Sequence, residues 1–465
     1  MDVEEFVRHR MAEGVCNDDI AKKLASHIQR IKQVPFTYAE SFARAVILEV
    51  GNTRGITGDF FEYERSGVKM GDFGVGSRGT GDFFAHRQIA RIIGRTSASV
   101  GVDEMDDAGA VLLETWGKTA KNNEQLKTGE IPEQGEGGQY IICTVDGMHS
   151  RLSDFPFLAG FHVTRATLRD VYVMGAHPIM LFSDIHVADD GDVAKIFDYT
   201  AGITAVGEVM DVPLVTGSTL RIGGDMVLGS RMTGCVGAVG VARHLTARKE
   251  TRSGDVILMT EGAGGGTIAT AALYSGFPDV VDATINLNFL LASEALLASD
   301  ALTSIHSMTD VTNGGLRGDV YEMAETAGCR IVIEESEVGS LVQRDVANML
   351  LELSIDYLGV SLDALLITAP RSAVAAITDV IRGTGVTTRE IGRVEAGKAE
   401  SVLVVDGREQ DFTPRFREAA YTPLKKVVES TRSDFEEMKE KVRHAADAAI
   451  EKKQRIIKRI RPKSS

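Results

Sequence analysis

Cysteine is scarce in this chain. Its 465 residues hold four, Cys16, Cys143, Cys235 and Cys329, far apart and with no CxxC pair. Neither a zinc knuckle nor a disulfide framework is expected from that spacing. Cys143 and Cys235 sit in apolar runs and read as buried small hydrophobes. Long apolar runs are missing too: none reaches the roughly 18 residues needed to suspect a membrane span. The first residues, Met1-Asp2-Val3-Glu4-Glu5, are acidic and lack the pattern of a signal peptide, so a cytoplasmic protein is expected. Positive charge is in deficit, with Lys+Arg 51 against Asp+Glu 66 and a formal net charge of -15. A phosphate backbone needs a basic surface, which argues against nucleic acid as a partner of the body of the protein. Histidine-rich metal clusters are absent, which disfavours zinc hydrolysis. A nucleotide held through Mg²⁺ stays compatible, because carboxylates hold that ion.

What is there is enough for more than one domain. Hydrophobic content is 43% and charged content 25%, a globular profile, and the length exceeds one ordinary core. The chain divides into an N-terminal helical extension (1–55), two larger units (56–245 and 246–420) and a helical tail (421–465). In the extension, Val3, Phe6, Val7 and Met11 share one helical face. Asn17 or Asp18 caps a second helix that stops before Pro35, and a third runs from Tyr38 to Val50. Three short helices also fit a helix-turn-helix reader, but their surface is mixed in charge rather than basic. Gly71, Gly74, Gly76, Gly79 and Gly81 then crowd into eleven residues. Gly74 to Gly79 reads GxGxxG, yet no apolar strand precedes it, so a Rossmann turn is disfavoured. A loop whose amides face phosphates, with Arg78 adding charge, and a plain flexible loop are both open.

From about Asp106 onward strands and helices alternate. Strands are expected at Ala108–Leu113, Tyr140–Val145, Ile179–Val187, Pro213–Thr216, Met226–Leu228 and Met232–Val241, with helices at Leu158–Met174 and Val193–Met210. The polar run Lys118 to Gly138 reads as a loop. A similar unit starts at strand Val256–Thr260, followed by Gly262, Gly264, Gly265, Gly266 and a helix from Thr267. The GK[ST] of a Walker loop is missing, so this turn is either an anion site at a helix N-terminus or close helix–strand packing. Strand Ser304–Thr309, helices Leu316–Ala327, Val338–Leu353 and Ser372–Arg382, and strands Arg330–Ile333, Ala364–Ala369 and Glu390–Val394 complete it. In the tail, Phe435, Met438, Val442, Ala445 and Ala449 form a helical seam. The run Lys452 to Lys463 is basic, a solvated helix end or a site for an acidic partner.

Four acidic motifs stand at the mouths of these elements: Asp106-Asp107, Asp146, Asp170 and Asp310. Gathered carboxylates repel one another unless a cation neutralises them, which points to Mg²⁺ or a similar hard ion that bridges to phosphate. The ordered segments DDAGAV, TVDGM, LRDVYVMGAHP and MTDVTNGGLRGDVYEMA resemble the superfamily of aminoimidazole ribonucleotide synthetase, selenophosphate synthetase and thiamine-monophosphate kinase over about residues 100 to 400. They are most similar to archaeal selenophosphate-synthetase-related proteins. The resemblance implies an α+β, two-domain synthetase-like fold. An N-terminal α/β domain pairs into a dimeric β-barrel, a C-terminal α+β domain packs against it, and helical segments are added at both ends. It implies a homodimer that binds ATP and Mg²⁺ and acts on a small-molecule substrate. By position, Asp106, Asp107, Asp146 and Asp310 would hold metal, with Asp146 and Asp310 also catalytic. Gly74, Gly76, Arg78, Gly79, Asp170 and Asn313 would contact the nucleotide.

The departures narrow the chemistry. Selenophosphate synthetase carries a cysteine or selenocysteine in its glycine-rich segment, and Gly71 to Phe84 has none. The hydrogenase maturation relatives end in a cysteine, and this chain ends Arg461-Pro462-Lys463-Ser464-Ser465. Thr167 and Ser218 stand where relatives carry asparagine and aspartate. The expected reaction class is ATP-dependent phosphorylation or phosphate activation of a small molecule, the alternative being a nucleotide-sensing regulatory or scaffold protein. His186, Asp189 and Asp190 are candidates for a substrate loop or for a solvated acidic turn.

Overall fold

The computed structural model describes residues 1–54, 64–68, 79–94, 106–112, 139–312, 314–416 and 434–460, with isolated positions between them. Three helices open the chain: α1 (Val3–Ala12), α2 (Asn17–Lys32) and α3 (Phe36–Thr53). Asp2 caps α1 by accepting the Glu5 N–H at 3.0 Å. The apolar faces close on one another through Val7, Leu24, Ile28, Ala43 and Val46. Leu228 joins that core, and Val3 N–H donates to the Met226 carbonyl at 3.0 Å. The stretch Met226–Leu228, expected as a strand, is therefore a turn. Its backbone is taken up by an isolated bridge from Val227 to Asp2 rather than by the sheet.

The first sheet has five strands, β1 (Gly109–Leu112), β2 (Tyr140–Gly147), β3 (His177–Val187), β4 (Leu214–Arg221) and β5 (Met232–Ala242), in the order β1-β2-β5-β3-β4. Only β3 and β4 pair in parallel, as a crossover through a helix requires. Helix α4 (Thr80–Ile93) precedes this sheet, and α5 (Pro156–Val173) and α6 (Ala194–Val209) cover one of its faces. Among the described residues its other face is open: Val145 is 60% and Phe182 36% exposed. Cys143 lies on that face and is exposed, which corrects the expected burial. Period-2 alternation turns its side chain away from the helices, towards the side on which Val145 stands. Within the described residues the sheet does not close on itself.

The second sheet has seven strands, β6 (Asp255–Thr260), β7 (Ser307–Asp310), β8 (Arg330–Glu334), β9 (Leu365–Pro370), β10 (Thr388–Glu395), β11 (Glu400–Val405) and β12 (Arg408–Asp411), in the order β12-β11-β8-β10-β6-β9-β7. Helices α7 (Gly266–Ser275), α8 (Asn288–Leu297), α9 (Gly315–Ala327), α10 (Arg344–Glu352) and α11 (Val374–Gly383) pack on it. The helix expected over Val338–Leu353 is broken: a turn ends at Gly339, and Val342 bridges to Gly262 before α10 begins. One stretch, Pro278–Leu297, is long and apolar enough to cross a membrane by composition. It is half buried within the fold and divides into a 3₁₀ turn, a helical turn and α8. One core spans the two units, gathering Leu168 and Val236 of the first with Leu258, Phe289 and Met308 of the second, and another fills the second unit around Ile257, Met259 and Val320. The last helix, α12 (Phe435–Ile460), lies along α4. Lys453 there donates to the final carbonyls of α4, Ile92 at 2.6 Å and Ile93 at 2.8 Å, so part of the basic run serves as a helix cap.

Candidate functional site

Asp146 is the last residue but one of β2, and β7 ends at Asp310, which is 1% exposed. Helix α5 crosses between them and brings Asp170. The Asp170 carboxylate accepts a hydrogen bond from Thr144 Oγ1 at 2.9 Å. Burial pushes its carboxyl well above the usual range, and the negative charges of Asp146, Asp310 and Asp107 push the same way. Asp107, Asp146 and Asp310, which come from both domains, thus lie near enough to Asp170 for their charges to act on it. They do not form a finished cage: among the described residues no three carboxylate, histidine or cysteine groups are gathered at ligand spacing. Mg²⁺ does not need one, since it keeps waters and phosphate oxygens and takes only one or two carboxylates. The negative charge gathered around Asp170 fits a dication at this place.

Asp107 and Asp106 are held differently. Asp107 takes Arg248 Nη2 at 2.6 Å on one oxygen and the Thr309 hydroxyl at 2.5 Å on the other. Arg248 is fully buried and also reaches Glu322 at 2.8 Å and Asp319 at 3.3 Å. Asp106 accepts two backbone N–H groups, of Asp107 and of Arg248, each at 2.9 Å. Burial raises its carboxyl to about 7. Asp106 thus anchors backbone beside the site. Gly79 caps α4 at a close approach, where a Cβ would lie 2.4 Å from the Phe416 carbonyl oxygen. Gly74, Gly76, Arg78 and Asn313 lie outside the described residues. Asp189 and Asp190 turn away from the cleft and hold Lys32 of α2, Asp190 at 2.9 Å. His186 pairs with Asp184 at 2.8 Å. Thr167 faces the carbonyls of Val163 and Val236, inside the fold.

Two cavities flank the carboxylates. The larger, about 560 Å³, is lined by Asp106, Asp107, Thr144, Phe182, His86 and Arg248 among others. The smaller, about 110 Å³, runs from Asp146 and Asp170 to the start of α7. Its walls hold residues that the acidic motifs alone do not reveal. Arg169 Nε lies 3.1 Å from Asp310 and its guanidinium also pairs with Asp363. Arg165 donates to the carbonyls of Gly264 at 2.8 Å, Thr284 at 2.7 Å and Asn286 at 2.6 Å, and pairs with Asp363. Burial lowers Arg165 to about 9. Gly264 has φ +75°, and a Cβ there would meet Ile268 at 2.0 Å, so the turn that Arg165 holds needs glycine. His149 is bonded at both ring nitrogens, to Thr270 at 3.0 Å and to Tyr421 at 2.8 Å, and burial lowers it to about 4. His162 is 5% exposed, and its Nδ1 has no hydrogen-bond partner. His162, Arg165 and Arg169 step by three and four along α5, a polar stripe that the sequence itself carries.

Comparison with known proteins agrees with this arrangement. The model of the AIR synthase related protein N-terminal domain matches residues 106–242, and that of the C-terminal domain matches residues 252–405. An uncharacterized protein of Methanocaldococcus jannaschii is 47% identical over 474 residues, covering 99% of this chain and 98% of its own. Carbamoyl dehydratase HypE of Rhodobacter capsulatus is 29% identical over 246 residues, 51% of this chain and 69% of that one. The solved structure of hydrogenase maturation protein HypE in complex with ATP superposes with a TM-score of 0.51 at 19% identity, over 59% of this chain and 84% of that one. The two matched domains contain all four acidic motifs, and the chain belongs to the AIR synthase related protein family.

Proposed function

We propose that this protein is an ATP- and Mg²⁺-dependent enzyme that phosphorylates or phosphate-activates a small molecule, working as a homodimer. One observation carries the reading: carboxylates from two domains meet between a cavity of nucleotide size and a small polar one. A volume near 560 Å³ lies within the range of cofactor pockets, roughly 300 to 1,000 Å³. The relative solved with ATP supports a nucleotide in this fold. Asp146 and Asp310 would hold Mg²⁺, with Asp107 and Asp170 beside them, and the ion would supply charge neutralisation on the transferred phosphoryl group. The chain's own part is positioning. Arg169 fixes the Asp310 carboxylate, Thr144 orients Asp170, and Arg248 with Thr309 locks Asp107. Phosphoryl transfer asks little covalent chemistry of a protein and much fixed geometry.

Asp146→Asn and Asp310→Asn are each expected to abolish Mg-ATP binding in calorimetry, and undiminished binding in both would sink the reading. Incubation with ATP, Mg²⁺ and a fractionated metabolite pool should release ADP in a fraction-dependent way. Tight binding with no turnover in any pool would instead favour a nucleotide sensor.

A further inference from the structure

The smaller cavity contains a hydrogen-bond pattern that selects its ligand. Thr284 is fully buried, and its hydroxyl donates to the Val281 carbonyl at 2.7 Å. A hydroxyl has one proton to give. The Thr284 oxygen therefore meets His162 Nε2, 3.3 Å away, as an acceptor, and the ring nitrogen must donate. That assigns the Nε2–H tautomer to a neutral imidazole and leaves Nδ1 as a bare lone pair. Nδ1 is the buried ring atom without a partner, and His162 is among the residues around the cavity. Arg165 holds the Thr284 carbonyl at 2.7 Å, so the tautomer is set by a fixed segment.

The opposite requirement comes from α7. It has ten residues, and Gly265 and Gly266 at its start line the same cavity. The first N–H groups of a helix have no intrahelical acceptor and favour an oxygen that carries negative charge. The Thr312 hydroxyl, buried without a partner, borders the cavity too. Asp146 and Asp170 close the far wall, so a ligand oxygen turns away from them and towards α7.

We propose that this cavity is the acceptor-substrate subsite, and that it takes an end-group with an O–H or N–H beside an acidic or carbonyl oxygen. The O–H or N–H donates to His162 Nδ1, and the oxygen accepts from the α7 amides and Thr312. At about 110 Å³ it admits an end-group of a few heavy atoms and leaves the body of the substrate outside. That the end-group receives a phosphoryl group rests on the function proposed above; the donor–acceptor pattern does not.

Inorganic phosphate and sulfate test it. They match in size and shape, but at neutral to mildly alkaline pH phosphate retains an O–H and sulfate has none. Titrated by calorimetry into the full-length protein, phosphate should bind about tenfold more tightly than sulfate, the worth of one buried hydrogen bond. His162→Phe should bring the ratio close to one while sulfate affinity stays. The ring ¹⁵N spectrum of the unmodified protein gives a readout that does not depend on the variant folding. His162 Nδ1 should resonate as an unprotonated nitrogen and shift with phosphate, not with sulfate. Equal affinities, no phosphate binding at tens of millimolar, or a protonated Nδ1 would each overturn the proposal. So would loss of phosphate binding when a non-hydrolysable ATP analogue and Mg²⁺ saturate the protein, since the cavity would then be part of the nucleotide site. If the analogue itself does not bind, the function proposed above fails while the phosphate–sulfate comparison still decides the subsite.

Discussion

Buried charge is concentrated where the two domains meet, and each charge there is spoken for. Arg165 and Arg169 share Asp363, and Arg169 reaches on to Asp310. Removing one member of such a set leaves its partner buried and uncompensated, which costs far more than an exposed pair is worth. His149 is the group in this region whose effect on stability can be read against pH. Its folded-state value of about 4 lies below the ordinary 6.5, first because it is buried, and then because Lys425 and Arg151 are near. Between those values the unfolded chain binds a proton that the native one does not, so this contribution is complete above 6.5 and is lost as pH falls towards 4. The full difference corresponds to roughly 3 kcal/mol. Urea unfolding of the unmodified protein and of His149→Gln should show it: the stability gap between them is expected to narrow by about 2 kcal/mol from neutral pH to about pH 5. A gap that does not change with pH would mean that His149 is not held neutral by burial.

Elements were legible where one signal dominated. The shared apolar face of Val3, Phe6, Val7 and Met11 defines α1, and the apolar run ending at Asp146 defines β2. The failures have physical causes. Met226–Leu228 is apolar because it meets helices from the other end of the sequence, and a local window has no access to that partner. The hairpin of β11 and β12 went unread although Asp406-Gly407 marks it. Both residues have positive φ, 50° and 73°, as a two-residue turn between strands requires. At the site, the four carboxylates could be read from their motifs, and His162 and Arg165 could be read as a polar stripe, but what they and His149 do could not. Their roles depend on carbonyls and hydroxyls more than a hundred positions away. The acidic loop at Asp189 and Asp190 likewise found its partner in α2. Lys32 is 9% exposed at the side chain, between the two carboxylates, and this joins the N-terminal helices to the β3 end of the sheet. Lys32→Met is expected to lower unfolding stability by about 2 to 4 kcal/mol, because two carboxylates lose their shared cation. Mg-ATP affinity should be unaffected, since the pair lies outside both cavities. Calorimetric binding beside a denaturant titration checks both halves, and a parallel loss of ATP affinity would place this loop in the site after all.

At the scale of the whole molecule the five-stranded sheet poses the main question, because among the described residues helices cover only one of its faces. Val111, Cys143 and Val145 stand in line on the open face, and Phe182 lies across Gly237, where a Cβ would meet its ring at 2.1 Å. Val111 is 41% exposed and Val145 60%. A contiguous apolar sheet face left in water is a standing cost, relieved when another layer covers it. A second copy of the same face is self-complementary under a two-fold axis, which is what the dimeric arrangement requires. The larger cavity opens beside this face, with Cys143, Val145 and Phe182 among its walls. Pairing would then do two things at once: bury the strands and complete the cavity proposed for the nucleotide. Val145→Glu combined with Phe182→Glu should convert a dimer into a folded monomer in sedimentation equilibrium. Each charge would be forced into an apolar contact but is harmless on a solvated face. The same variant should bind Mg-ATP at least about tenfold more weakly, although neither residue is among the proposed metal ligands, because part of the cavity wall is lost with the partner. An unchanged mass would remove this face as the interface. A monomer that binds ATP as well as the original would show that the cavity is complete within one chain.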